Sequence, residues 1–117
     1  MWEKLQEVFD LIGLPYSRQG SFSEDEKLPD SFFTFWNKSS EYEGYFSNRP
    51  TKCIWVWNVF FYTNNPEVIY SQLNDFITTA KENGFIVGSQ GKDLPTDEPN
   101  YFGRYVEISY IENLNVD

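Results

Sequence analysis

The chain is 117 residues long, a length that fits one domain able to bury its own core without disulfides. Its net charge of −9, from 18 acidic and 9 basic residues, argues against ordinary phosphate-backbone binding, and its single cysteine excludes an intrachain disulfide scaffold. There is no histidine, which removes Ser-His and Cys-His nucleophile pairs and the commonest metal ligand, and no Gly-rich phosphate loop or CxxC occurs.

The first predicted element is a helix over 2–12. Trp2, Leu5, Val8, Phe9 and Ile12 fall on one face, Glu3, Lys4, Glu7 and Asp10 point outward, and Gly13 and Pro15 stop it. Met1-Trp2-Glu3-Lys4 opens that helix directly, with no leader pattern, and no segment is long enough to cross a bilayer, so an intracellular chain is expected. A short strand is expected from Tyr16 to Phe22. An acidic loop, Ser23 to Asp30, carries Glu24, Asp25 and Glu26 and is closed by Pro29.

Ser31 to Asn37 is aromatic and β-prone, and Glu41 to Ser47 alternates less cleanly, around Tyr42, Tyr45 and Phe46. Asn48-Arg49-Pro50-Thr51 reads as a turn, so 41–62 is expected to form a long hairpin. Its second arm is the most informative run in the chain. In residues 53–62 nine of ten positions are apolar and five are aromatic. An extended strand puts Cys53, Trp55, Trp57, Val59 and Phe61 on one face and Ile54, Val56, Asn58, Phe60 and Tyr62 on the other. Both faces are apolar, which calls for a second layer inside the chain or for a neighbouring subunit.

Asn65 caps and Pro66 opens a helix expected over 66–83, with Val68, Ile69, Leu73, Phe76, Ile77 and Ala80 on one face and Gly84 at its end. A short strand Phe85–Gln90, an exposed loop Gly91–Asn100 and a last strand Tyr101–Glu112 follow. In that strand Phe102, Arg104, Val106, Ile108 and Tyr110 share a face. The order is α-β-β-β-β-α-β-β. It implies an α+β fold, a mostly antiparallel sheet with two amphipathic helices on one face. Two helices cover one sheet face, and the other still carries aromatics, either Trp55 and Trp57 or Phe60 and Tyr62, a patch a lone domain rarely leaves bare.

The carboxylate pairs Glu41/Glu43 and Glu24/Glu26 lie in solvated stretches with nothing apolar beside them to raise a pKa, so no catalytic residue, metal ligand or cofactor site is assigned. Cys53, inside the apolar run, reads as inert packing.

Several segments together resemble a family. Ile12-Gly-Leu-Pro-Tyr16, then Gly20-Ser-Phe22, an acidic stretch and a proline, then Phe32-Phe-Thr-Phe35 follow one another. A tyrosine-bearing hairpin arm, Tyr42 to Phe46, comes next. Phe61-Tyr62-Thr63 closes the following strand, a helix opens at Asn65-Pro66-Glu67, and a strand rich in Tyr and Val ends the match from Phe102 to Glu112. This arrangement, over about residues 5–112, is similar to the small tail-terminator (tail-completion, minor capsid) proteins of bacteriophages with long non-contractile tails. The chain departs from that pattern at Asn48-Arg49-Pro50, where the family usually has a shorter turn bearing Asp or Asn. The resemblance implies a non-enzymatic structural protein of the virion. It implies a ring, usually of six subunits, that caps the tail tube and joins it, through a head-completion or connector protein, to the head, with DNA passing through the lumen unbound. The subunit interface is then expected at Tyr42, Tyr45, Phe46, Trp55 and Trp57. Glu24, Asp25 and Glu26 become candidates for an acidic lumen or loop surface. Assembly would take place in the host cytoplasm. Two other readings of the residues stay open: a small-molecule-binding α+β module with an aromatic pocket, and an acidic phage-encoded inhibitor of a host protein.

Overall fold

A computed structural model describes residues 2–18 and 28–114. The chain runs α1 (Trp2–Ile12), β1 (Tyr16–Arg18), β2 (Ser31–Glu43), β3 (Lys52–Thr63), a single 3₁₀ turn Pro66–Val68, α2 (Ile69–Glu82), β4 (Ile86–Val87), β5 (Lys92–Leu94) and β6 (Phe102–Asn113). The sheet is ordered β1-β2-β3-β6-β4, and β5 pairs with β6 as well. Among the described residues only the β1–β2 pairing is parallel. The fold is α+β with a mostly antiparallel sheet, as the sequence implied.

The helices form where amphipathic spacing and end chemistry agree. α1 buries Leu5, Val8 and Phe9, and its last turn closes with the Gly13 amide donating to the Phe9 carbonyl at 3.0 Å while Gly13 takes a positive φ of 81°. At the start of α2, the Asn65 side chain accepts from the Glu67 amide at 3.0 Å. The first turn is 3₁₀ and the α-helix proper begins at Ile69. α2 buries Ile69, Leu73, Phe76, Ile77 and Ala80.

Both helices lie on one face of the sheet. Phe9 of α1 meets Phe33 of β2 at 5.4 Å and Phe76 of α2 at 5.3 Å, and Phe33 meets Phe61 of β3 at 4.8 Å. Val59 and Trp57 pair across to Val106 and Ile108 of β6, and all four are buried. Aromatic rings therefore join both layers, each pair adding about 0.5–1.5 kcal/mol beyond its burial.

Boundaries differ from the sequence expectation in several places, and β4 keeps only Ile86–Val87 of the expected strand Phe85–Gln90. Ser31–Asn37 and Glu41–Ser47 are not two strands but one, β2, carrying a bulge between Asn37 and Ser39. The bulge shifts the alternation by one residue, so Phe33, Phe35 and Asn37 share a face with Ser40 and Tyr42. The Asn37 amide nitrogen holds it, donating to the carbonyls of Ser39 and Val56 at 3.0 Å each. The expected loop Gly91–Asn100 begins with β5, whose residues pair with Gly103 to Tyr105. The order of the described elements is therefore α-β-β-β-α-β-β-β, with three described strands on each side of α2. β1 takes Tyr16–Arg18 of the expected Tyr16–Phe22 strand; the rest of that strand lies outside the described residues.

Candidate interaction surface

The β2–β3 hairpin carries the site. Its turn sits two residues earlier than the sequence suggested, with Ser47 and Asn48 at the centre and positive φ of 52° and 65°. This is the mirror-image two-residue turn that matches strand twist, and Asn tolerates it well. Phe46 and Arg49 close it with reciprocal backbone hydrogen bonds of 2.7 and 2.9 Å. Below it the Thr51 hydroxyl donates to the Gly44 carbonyl at 2.6 Å. The sequence placed the turn over Asn48-Arg49-Pro50-Thr51, but the mirror-image turn requires two positive-φ residues, and Ser47-Asn48 supply them.

The arm runs past the helices. The principal extents are 54 × 28 × 23 Å and the radius of gyration is 15.8 Å, against about 13 Å for a globular chain of this size. Tyr42, Tyr45 and Phe46 all lie on this arm, and Phe46 is 73% exposed. The fold thus gathers three of the five expected interface residues on one projecting element.

The other two lie elsewhere. Trp57 is 2% exposed and packs beneath the helices, 6.0 Å from Phe35 and 6.3 Å from Trp2. A side chain so enclosed offers no surface to a neighbour, so Trp57 is corrected from interface to core. Trp55 stacks on Trp57 at 6.1 Å and 10°. It is half-buried on the same, helix-covered side, and its indole N–H donates to Glu112 at 3.2 Å. The free face belongs to the other set. Ile54, Val56 and Phe60 of β3 lie beside Ile111, Ser109 and Tyr105 of β6, with Phe60 stacked on Tyr105 at 5.7 Å. No described helix covers this face. Trp36, half exposed, extends it onto β2 opposite Asn58, and Lys38 ties it to β6 through a 2.6 Å ion pair with Glu107 that holds the lysine pKa above its usual range.

At the opposite end of the sheet from the hairpin tip, the 94–103 segment bounds two adjoining grooves. One, of about 540 Å³, lies between the start of α2 and β5–β6. The other, of about 490 Å³, lies over Phe32 and Tyr62. Tyr101 stands between them, its hydroxyl donating to the Pro29 carbonyl at 2.7 Å. Behind the first groove Arg104, which the sequence placed on the apolar face of β6, is a structural rivet. It pairs with Asp93 at 2.7 Å, donates to the Gly91 carbonyl at 3.1 Å and lies over the Tyr70 ring at 4.8 Å. Among the described residues, aromatics fill the core and stack on the free face.

Glu24, Asp25 and Glu26 lie outside the described residues. Among the described residues no group of three or more His, Cys, Asp or Glu is close enough to hold a metal, and no helix is long and apolar enough to cross a membrane. Cys53 is buried, and burial pushes its thiol pKa up, away from thiolate reactivity. No protein-family model matches the chain, and no curated protein was found to be similar to it.

Proposed function

We propose that this chain is a structural subunit that self-associates into a ring, in the manner of a tail terminator of a long non-contractile-tailed phage. The ring, hexameric on the tail, caps the tail tube protein, stops its polymerisation and presents a joining surface to the head-completion protein. The observation that carries the reading is the projecting hairpin with Tyr42, Tyr45 and Phe46 in solvent. An arm that reaches beyond its own core and ends in aromatic side chains has the chemistry of an interface anchor. The uncovered face around Phe60 and Tyr105 supports it by offering a second apolar contact area, and the −9 charge suits a conduit through which DNA slides without adhering. The proposal places the protein in the virion, at the head-proximal end of the tail.

Electron microscopy of lysates from a phage lacking the gene tests this. Filled heads without tails, together with tubes that overrun their set length, are expected. Particles with normal tails would refute it.

A further inference from the structure

We infer that the hairpin tip of one subunit docks in the groove beside the start of α2 on a second copy of the same chain, with Phe46 entering the groove and Arg49 meeting Glu98. The inference rests on the self-association proposed above and names the surface that receives the arm.

Three observations lead to it. The first is position. Lys52 and Thr63 are the two ends of β3, about 36 Å apart at ~3.3 Å per residue. The tip lies beyond Lys52. The groove lies beyond Tyr62, whose partner Gly103 lines it. A tip cannot fold back into its own groove, so it is available only to another molecule, and a contact between two different surfaces of identical subunits propagates head to tail until it closes into a ring.

The second is shape and polarity. One side of the groove, formed by Pro66, Ile69, Leu94 and Phe102, is apolar, and Asp93, Thr96 and Glu98 make the rest of its lining polar. Its volume of about 540 Å³ is in the range that receives a drug-sized group, enough for a two-residue turn led by one phenyl ring. Phe46 and Tyr45 are the residues that turn presents.

The third is charge. Arg49 is the single charged residue in 44–51, whereas 93–101 contains Asp93, Asp97 and Glu98 and no base. Asp93 is committed to Arg104. Glu98 lines the groove and is exposed, and neither it nor Arg49 has an ion-pair partner among the described residues. In a chain of net charge −9, self-repulsion opposes most contacts between copies. The tip is a cationic exception, and the groove rim is acidic.

The test uses the full chain, its single native thiol buried at Cys53. Tyr45→Cys and Asp97→Cys proteins, both altered at exposed positions, are mixed under a mild oxidant, and covalent products are read by mass spectrometry. Heterodimers that join the new thiol of the Tyr45→Cys protein to that of the Asp97→Cys protein are expected in excess over either homodimer. In parallel, Arg49→Glu is expected to raise the concentration for half-assembly at least ~10-fold, and Arg49→Glu with Glu98→Arg to restore it to within ~3-fold. Circular dichroism confirms that each variant is folded. Predominant homodimers of the Tyr45→Cys protein, or assembly that is indifferent to both charge reversals, overturn the inference while leaving self-association standing. A wild-type chain that is monomeric at millimolar concentration and does not bind tail tubes overturns both.

Discussion

Trp57 is the sharpest place to test the assignment of faces. Its side chain is 2% exposed, so nearly all of its surface, on the order of 200 Å², leaves water on folding, worth about 5 kcal/mol at ~25 cal/mol per Å². Truncation of a buried Trp to Ala is expected to cost about 3–5 kcal/mol because the ring's place is only partly refilled. Against a total stability of about 5–15 kcal/mol, that is a large share. At a urea slope of about 1.5 kcal/mol per M, the unfolding midpoint should fall by roughly 2–3 M. A finer variant separates packing from polarity. The Trp57 Nε1 is buried with no hydrogen-bond partner among the described residues, and an unmet buried donor costs about 1–3 kcal/mol. Trp57→Phe loses part of the ring but also that donor, so its net cost should stay below about 1.5 kcal/mol. The assay is urea unfolding followed by far-ultraviolet circular dichroism, with self-association measured on the same samples by native mass spectrometry. A Trp57→Ala protein that keeps its wild-type midpoint while losing the ability to assemble would refute the reasoning and return Trp57 to an interface.

Other outcomes follow from single features. Gly91 sits at a φ of 88°, and a Cβ there would collide with the Tyr105 carbonyl oxygen, so Gly91→Ala should cost about 2 kcal/mol or more, read by thermal unfolding, with the β5–β6 edge exchanging amide protons first. Stability should be level near neutrality and fall in alkali. Burial raises the pKa of Cys53, Tyr62 and Tyr101, and a hydrogen bond to Asp10 raises that of Tyr16. Each raised group stabilises the fold fully below its ordinary value, 9.0 for the thiol and 10.0 for the phenols, and that contribution is lost as pH climbs through the folded value. A urea midpoint unchanged between about pH 7 and about pH 10.5 would contradict this. Duplex DNA should show no measurable binding at physiological salt, checked by fluorescence anisotropy; a submicromolar, salt-sensitive affinity would contradict the reading of the −9 charge.

The sequence disclosed both helices because their apolar spacing coincides with end signals, Gly13 for one and Asn65-Pro66 with Gly84 for the other. It did not disclose which face of β3 is internal, because hydrophobicity is nearly equal on the two sides. The signal that decides this lies in β6, where Val106 and Ile108 alternate with Glu107 and Ser109. Their cross-strand partners are Val59 and Trp57 on one side and Asn58 and Val56 on the other, so the polar register of β6 identifies the inward set of β3. β2 looked like two strands because a bulge interrupts a two-residue period, and periodicity cannot tell an interruption from an end. β5 is Lys-Asp-Leu and carries no apolar pattern; only its pairing with β6 makes it a strand. The projecting arm was legible as a hairpin, but the groove was not, since its wall is assembled from α2, β5 and β6 across nearly forty residues of sequence.

The bulge at Asn37 and Ser39 has a consequence for how this chain can change in length. On the body side of it, residues are locked in phase by the core; on the arm side, beyond Tyr42, no buried neighbour dictates phase. Adding one residue to each strand of the arm lengthens it by about 3.3 Å but turns the tip over, because side chains alternate sides at every step. Adding two to each restores the aspect of Phe46 and Arg49 and moves them outward by about 6.6 Å. The reach of the arm is thus available in discrete increments, and a lineage or a designer altering the diameter of an assembly built on it would do so in steps of about four residues.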